Sequence, residues 1–81
     1  MTVKVYALST CPYCRMTKKY LDDNDVVYDV VDVDLLEGDE KTAVVAEVKE
    51  VSGGTSFPVV LIDDEVIVGF NKAAIKDRLG L

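Results

Sequence analysis

The segment "STCPYCR", Ser9–Arg15, sets the chain's only two cysteines two residues apart, with a proline between them. It is also a switch point. Before it, "VKVYALS" (Val3–Ser9) alternates apolar and mixed residues and is β-branched at its start, as a strand is. After it the period becomes helical. Pro12 suits the first helical position, because its missing N–H has no helical partner there. A strand that turns into a helix this abruptly, in a chain of 81 residues, leaves few architectures open. The helix has to pack back on the strand, and the next strand has to return beside the first.

The rest of the chain agrees. "PYCRMTKKYLDDN" reads as the helix, with Thr10 or Cys11 at its cap and Asn24 as its stop. Tyr13, Thr17, Tyr20 and Leu21 share a broad face, and Arg15, Lys18, Lys19 and Asp22 fall largely off it. Val26–Asp34 is a second strand. Its alternation is imperfect, which predicts partial burial on both faces. A second helix lies within "LEGDEKTAVVAEVKEVSGG". Asp39 or Glu40 in its first turn suits the dipole, and Gly53-Gly54 ends it. Val44, Val45, Val48 and Val51 recur at helical spacing. Valine is a mediocre helix former, so packing has to stabilise this element. "FPVVLIDDEVIVGF" reads as a hairpin, Val59–Ile62 and Val66–Val68 about an acidic turn at Asp63-Asp64. In "NKAAIKDRLGL", Asn71 is a good N-cap, Ala74, Ile75 and Leu79 form a stripe, and Gly80 is the stop. The order is β-α-β-α-β-β-α, an α/β chain read as one domain over 1–81. The first crossover should be right-handed and the central pair parallel.

Charge narrows the partners. Fifteen acidic and nine basic residues leave a formal net charge of −6. Nucleic-acid binding rests on neutralising phosphates, so no nucleic acid is expected as a partner. The same sign disfavours an anionic membrane surface. No apolar run approaches the roughly 18 residues of a membrane span, and Met1–Ser9 carries no leader pattern. The expected compartment is the cytoplasm, where lasting structural disulfides are rare. Histidine is absent, which removes His-based acid/base chemistry and His ligation of metals.

The cysteines then have three readings. Cys11 falls at the carboxyl end of a strand and the start of a helix, where open sheets bind ligands and where the dipole and free N–H groups favour an anion. A thiolate is such an anion. Its pKa should fall from about 8.5 towards roughly 7 or lower. Pro12 shapes this site, and Arg15 and Lys18, near one turn on, are expected to add a little. Cys14 lies one turn inside the helix, more buried and less acidic. A Cys11 thiolate would attack a disulfide, and Cys14 would then resolve the mixed disulfide intramolecularly. A permanent staple is the second reading, although so small a loop removes little unfolded-state entropy. A zinc or iron–sulfur site is the third. Zinc needs about four ligands, and two thiols supply them only across two chains. The position of the pair in a βαβ pattern favours redox exchange.

At these residues the chain resembles a glutaredoxin. "CPYC" (Cys11–Cys14), "TSFP" (Thr55–Pro58) and "VGFN" (Val68–Asn71) carry the resemblance, which runs over essentially the whole chain in element order. It implies the thioredoxin fold, a four-stranded mixed sheet flanked by three helices. It implies a thiol–disulfide oxidoreductase with no bound cofactor and no metal. Its partners would be disulfide-containing proteins, and its reductant glutathione or another low-molecular-weight thiol. Cys11 would be the nucleophile and Cys14 the resolving thiol. The Phe57–Pro58 bond would be cis and face Cys11, with the Phe57 backbone open to a bound thiol peptide. Tyr13, Phe57, Pro58, Gly69, Phe70 and Asn71 would line the substrate site.

The chain also departs from the glutathione-using members. Leu8 stands where a lysine is usual, and "VGFNK" keeps one glycine without the acidic residues that follow a double glycine. Asn71 can still offer helix-start amides to a carboxylate. "GF" before a polar helix start resembles the glutaredoxin-like electron donors of ribonucleotide reductase. That implies a thioredoxin-reductase-like flavoprotein as the alternative reductant.

Overall fold

The computed structural model describes residues 2–54 and 56–81. Strand β1 (Val3–Ala7) leads into helix α1 (Pro12–Asp23), and β2 (Asp29–Asp32) follows. A 3₁₀ turn at Val33–Leu35 precedes α2 (Gly38–Ser52). The hairpin β3 (Val59–Ile62) and β4 (Glu65–Val68) leads to α3 (Lys72–Leu79). The sheet has the order β2-β1-β3-β4. β1 runs parallel to β2 and antiparallel to β3, and β3 and β4 are antiparallel. This is the mixed four-stranded sheet with three helices of the thioredoxin fold.

β1 is buried on both faces, and its side-chain alternation sorts the helices. Val3, Val5 and Ala7 join Leu21 of α1, Ile75 of α3, and Val60, Ile62 and Ile67 of the hairpin in one core. Tyr6 points the other way and meets Val33, Val59 and Val48 of α2. α1 and α3 therefore cover one face and α2 the other. The buried Tyr6 hydroxyl donates to Glu47 Oε1 at 2.6 Å, so its burial leaves no polar atom without a partner. Buried Thr17 likewise donates to the Tyr13 carbonyl at 2.9 Å.

The helix ends sit where the sequence places them. Cys11 is the cap of α1 and Pro12 its first residue. Asp39 and Glu40 lie in the first turn of α2, and Gly53 closes it at φ 76°. Asn71 caps α3, its Oδ1 accepting from the Ala74 N–H at 3.1 Å.

Two expectations need correction. The second strand is much shorter than Val26–Asp34. It is an edge strand paired only with Lys4–Ala7 of β1, so it is not buried on both faces: Val27 is 91% exposed and Val30 is 43% exposed. On α1 the buried residues are Cys14, Thr17 and Leu21. Tyr13, expected on that face, points outward at 62% exposure, because the helix turns its Cys14 side to the sheet.

Leu21 is wholly buried between α1 and the sheet. Leu21→Ala is expected to cost about 2–5 kcal/mol. In a domain of this size that should lower the thermal midpoint by at least about 8 °C. A shift of only a degree or two in a calorimetric scan would show that this core does not carry the fold.

Candidate active site

The carboxyl end of β1 delivers the chain to the start of α1. The Cys11 N–H donates to the Leu8 carbonyl at 3.1 Å, closing a tight turn. Cys11 then acts as the helix cap through its sulfur: Sγ accepts the Cys14 N–H at 3.4 Å. The first-turn N–H groups of a helix lack intrahelical partners, so a thiolate at the cap meets donors already in place.

The two thiols, both free, differ sharply. Partial burial works against ionising Cys11, yet its hydrogen bonds with Cys14 and with the amides of Cys14 and Tyr13 prevail and hold its pKa below the ordinary thiol value. Cys14 is wholly buried. Burial, reinforced by its hydrogen bond with Cys11, pushes its pKa up to about 11. One thiol is accessible and acidic; the other is sheltered and protonated.

Arg15 and Lys18 do not serve Cys11. The Arg15 guanidinium reaches back to the Ser9 carbonyl at 3.4 Å. Lys18 donates to Asp32 Oδ1 at 2.8 Å, and its charge acts on Cys14. Both follow from helical geometry: Lys18 stands one turn beyond Cys14, on the side that faces β2.

The Phe57–Pro58 bond is cis, as the resemblance implied. Pro58 is fully buried just before β3, which runs antiparallel to β1 and so begins beside the end of β1 that leads to Cys11. Its carbonyl accepts the Gly69 N–H at 2.7 Å. Gly69 has φ 81°, a conformation that costs an L-residue roughly 1–2 kcal/mol. Cys11, Phe57 and Phe70 all pack against the α1/α3 core. Among the described residues, no backbone hydrogen bond engages the Phe57 amide or carbonyl. Thr55 of the "TSFP" stretch lies outside the described residues. Phe70 is tied to Tyr20, ring centroids 6.2 Å apart at 65°. Asn71 is less open to a ligand than its position suggested: its own N–H donates to the Gly69 carbonyl at 3.0 Å, and its side chain occupies the Ala74 amide.

Two features escaped the sequence reading. Asp34 accepts both the N–H of Ser9, at 2.9 Å, and the Ser9 hydroxyl. These bonds hold its carboxyl below the usual range and brace the turn before Cys11. The clue was topological, since parallel strands bring their carboxyl ends together. A groove of about 320 Å³ lies beside this brace, lined by Leu8, Val33, Asp34, Lys41, Val45 and Phe57. Among the described residues, no group of three or more His, Cys, Asp or Glu converges to hold a metal. No helix among them is long and apolar enough to cross a membrane.

A pair of inequivalent thiols opening the first helix of a thioredoxin-type sheet is the plan of a thiol–disulfide oxidoreductase. Comparison with known proteins makes this specific. The Glutaredoxin family model matches residues 3–67, and this chain belongs to the glutaredoxin family, whose members are thiol–disulfide oxidoreductases. A glutaredoxin-like 8.6 kDa protein of the rubredoxin operon of Clostridium pasteurianum is 39% identical over 77 residues, 95% of each chain. The glutaredoxin-like protein NrdH of Lactococcus lactis is 30% identical over 73 residues, 90% of this chain and 93% of that one. Among solved structures, the methanoredoxin of Methanosarcina acetivorans superposes with a TM-score of 0.93 at 41% identity, over 99% of this chain and 85% of that one.

The contrast between the thiols has a direct readout. Under native conditions an alkylating agent should label one cysteine, with a pH midpoint below that of an ordinary thiol, and Cys11→Ser should remove that reaction. The second thiol should react only towards pH 11 or after unfolding. Equal labelling of both thiols at neutral pH would contradict the assigned burial.

Proposed function

We propose that the domain 1–81 is a dithiol reductase of protein disulfides and mixed disulfides, working in the cytoplasm. The observation that carries this reading is the split between the thiols: an accessible Cys11 with a depressed pKa and a buried Cys14 with a raised one. The Cys11 thiolate attacks one sulfur of the substrate disulfide. A Cys11–substrate disulfide forms, and the other substrate sulfur leaves as a thiolate. Cys14 then attacks Cys11 and releases the second substrate thiol, leaving a Cys11–Cys14 disulfide. A reductant restores both thiols with two electrons.

Cis-Pro58 and the backbone of Phe57 fit an extended substrate segment laid beside Cys11. Tyr13 forms the exposed rim, and Gly69, Phe70 and Asn71 bound the far side. Two classes of reductant suit the site. Lys41, in the groove with Leu8 and Phe57, offers a cation for the carboxylate of glutathione or another small thiol, in place of the lysine that Leu8 replaces. The second reading is an electron donor fed by a thioredoxin-reductase-like flavoprotein and serving ribonucleotide reductase or a similar enzyme. The engagement of the Asn71 and Ala74 amides within the protein and the likeness to an NrdH protein favour it. No bound cofactor enters either scheme.

A coupled NADPH-oxidation assay on a small disulfide separates them. One arm holds glutathione and glutathione reductase, the other thioredoxin reductase alone. Turnover in either arm identifies the reductant. In both cases Cys14→Ser should accumulate a stable adduct at Cys11, detectable by mass. Activity that survives Cys11→Ser, or no adduct with any disulfide, would overturn the order of attack.

A further inference from the structure

Cys14 must lose its proton before it can attack, and it sits in a wholly buried position. It belongs to the apolar core cluster that includes Val60 of β3, Ile67 of β4 and Ile75 of α3. From the turn after β1 comes the backbone of Leu8, and from the cap of its own helix Cys11. The cation acting on it is Lys18, four residues on along α1. Side chains at that spacing stand roughly 5–6 Å apart at Cβ. The Lys18 ammonium does not swing free. Asp32, at the carboxyl end of β2, holds it at 2.8 Å, and both side chains are only about a quarter exposed, at 25% and 26%. The other ion pair along α1, Lys19–Asp23, is 77% and 59% exposed. Partial burial shields the Lys18 charge from salt and strengthens its field at Cys14.

We infer that the Lys18–Asp32 pair is a positioning device for the resolving step, with Asp32 holding the Lys18 ammonium where it stabilises the thiolate that forms on Cys14. The inference rests on the dithiol reading above. When the mixed disulfide is present, Cys14 gives up its proton and its sulfur attacks Cys11 Sγ. The bond from Cys11 to the substrate sulfur breaks, and its electron pair leaves on the substrate sulfur. The new bond joins Cys11 and Cys14. The departing thiolate takes up one proton, so the sum of charges is unchanged. Lys18 neither gives nor takes a proton; it lowers the cost of the transient negative charge. The two steps are thus served by different groups: the helix cap serves the first, and Lys18 serves the second.

The size of the effect can be bounded. Losing one adjacent opposite charge typically reduces the ionised form about tenfold. A more basic thiolate is also a better nucleophile, with a Brønsted slope of about 0.4–0.5. The net slowing of resolution is therefore about threefold at neutral pH.

A symmetric aromatic disulfide that releases a coloured thiolate tests this in rapid mixing of the full chain. The first release reports attack by Cys11, and the second reports resolution by Cys14. Lys18→Met is expected to leave the first phase unchanged and slow the second about threefold, with the pH midpoint of the second phase moved upward. Lys18→Gln should do the same, and Lys18→Arg should restore the wild-type rate. Asp32→Asn should slow only the second phase, and adding it to Lys18→Met should slow it no further. A structural disturbance would instead affect both phases and would not be rescued by Lys18→Arg. An unchanged second phase in both Lys18→Met and Lys18→Gln, or equal slowing of both phases, overturns the inference. Cys14→Ser, run alongside, should release only the first thiolate. If it releases both, the dithiol reading itself fails, a different result from failure of the Lys18–Asp32 pair.

Discussion

The burial of β1 on both faces is the constraint on which the rest of the molecule depends. A strand that is covered on both sides and paired on both edges cannot shift register without exposing Val5 or Tyr6, both wholly buried. A slip by one residue would exchange the two faces. α1 and α3 are thereby held on one side and α2 on the other. The carboxyl end of β1 becomes a fixed point. The Leu8–Cys11 turn, the Asp34 brace on Ser9 and the start of α1 are all built on it. The acidity of Cys11 is thus a property of the strand as well as of the helix. Without a fixed entry into α1, Sγ would not sit at the cap.

The same placement accounts for the asymmetry of the thiols. Two cysteines at this spacing are chemically alike until the helix is docked. Docking turns Cys14 into the α1/α3 core and leaves Cys11 partly buried at the cap. Burial and hydrogen bonding then separate their pKa values in opposite directions. The separation carries an opposite pH signature for each thiol in the reduced protein. Cys11, depressed, favours the fold as pH rises through its folded pKa towards the unfolded value. Cys14, raised, weakens the fold as pH rises above the unfolded value towards 11. The two effects fall in successive windows, so the reduced form has its best margin between them.

Much of this was legible in the amino-acid order. Proline at the first turn, Asn71 before an apolar stripe, and Gly53 and Gly80 after helical runs act locally. Each fixes the conformation of one or two residues whatever surrounds them. The element order and the place of Cys11 followed from such signals. The second strand is shorter than its composition suggests for the opposite reason. "VVYDVVDVD" has the composition of a strand throughout, but pairing ends where β1 ends, and an edge strand gains no burial from further apolar residues. Tyr13 lies off the buried face because a helical face is wide in sequence, and only contact with the sheet chooses its centre.

The sequence by itself determined the chemistry available: two thiols two residues apart, no histidine, a net negative charge and, between the cysteines, a proline suited to a helix start. These are properties of residue types and short spacings, and they hold before any folding. The tertiary structure decided how that chemistry is divided. It buried one thiol and left the other at a helix end, paired Lys18 with Asp32 instead of aiming it at Cys11, and set Asp34 against Ser9. Those pairings join residues far apart in the chain. Coulombic and hydrogen-bond energies depend on distance in space and on burial, which only the packed sheet and helices define.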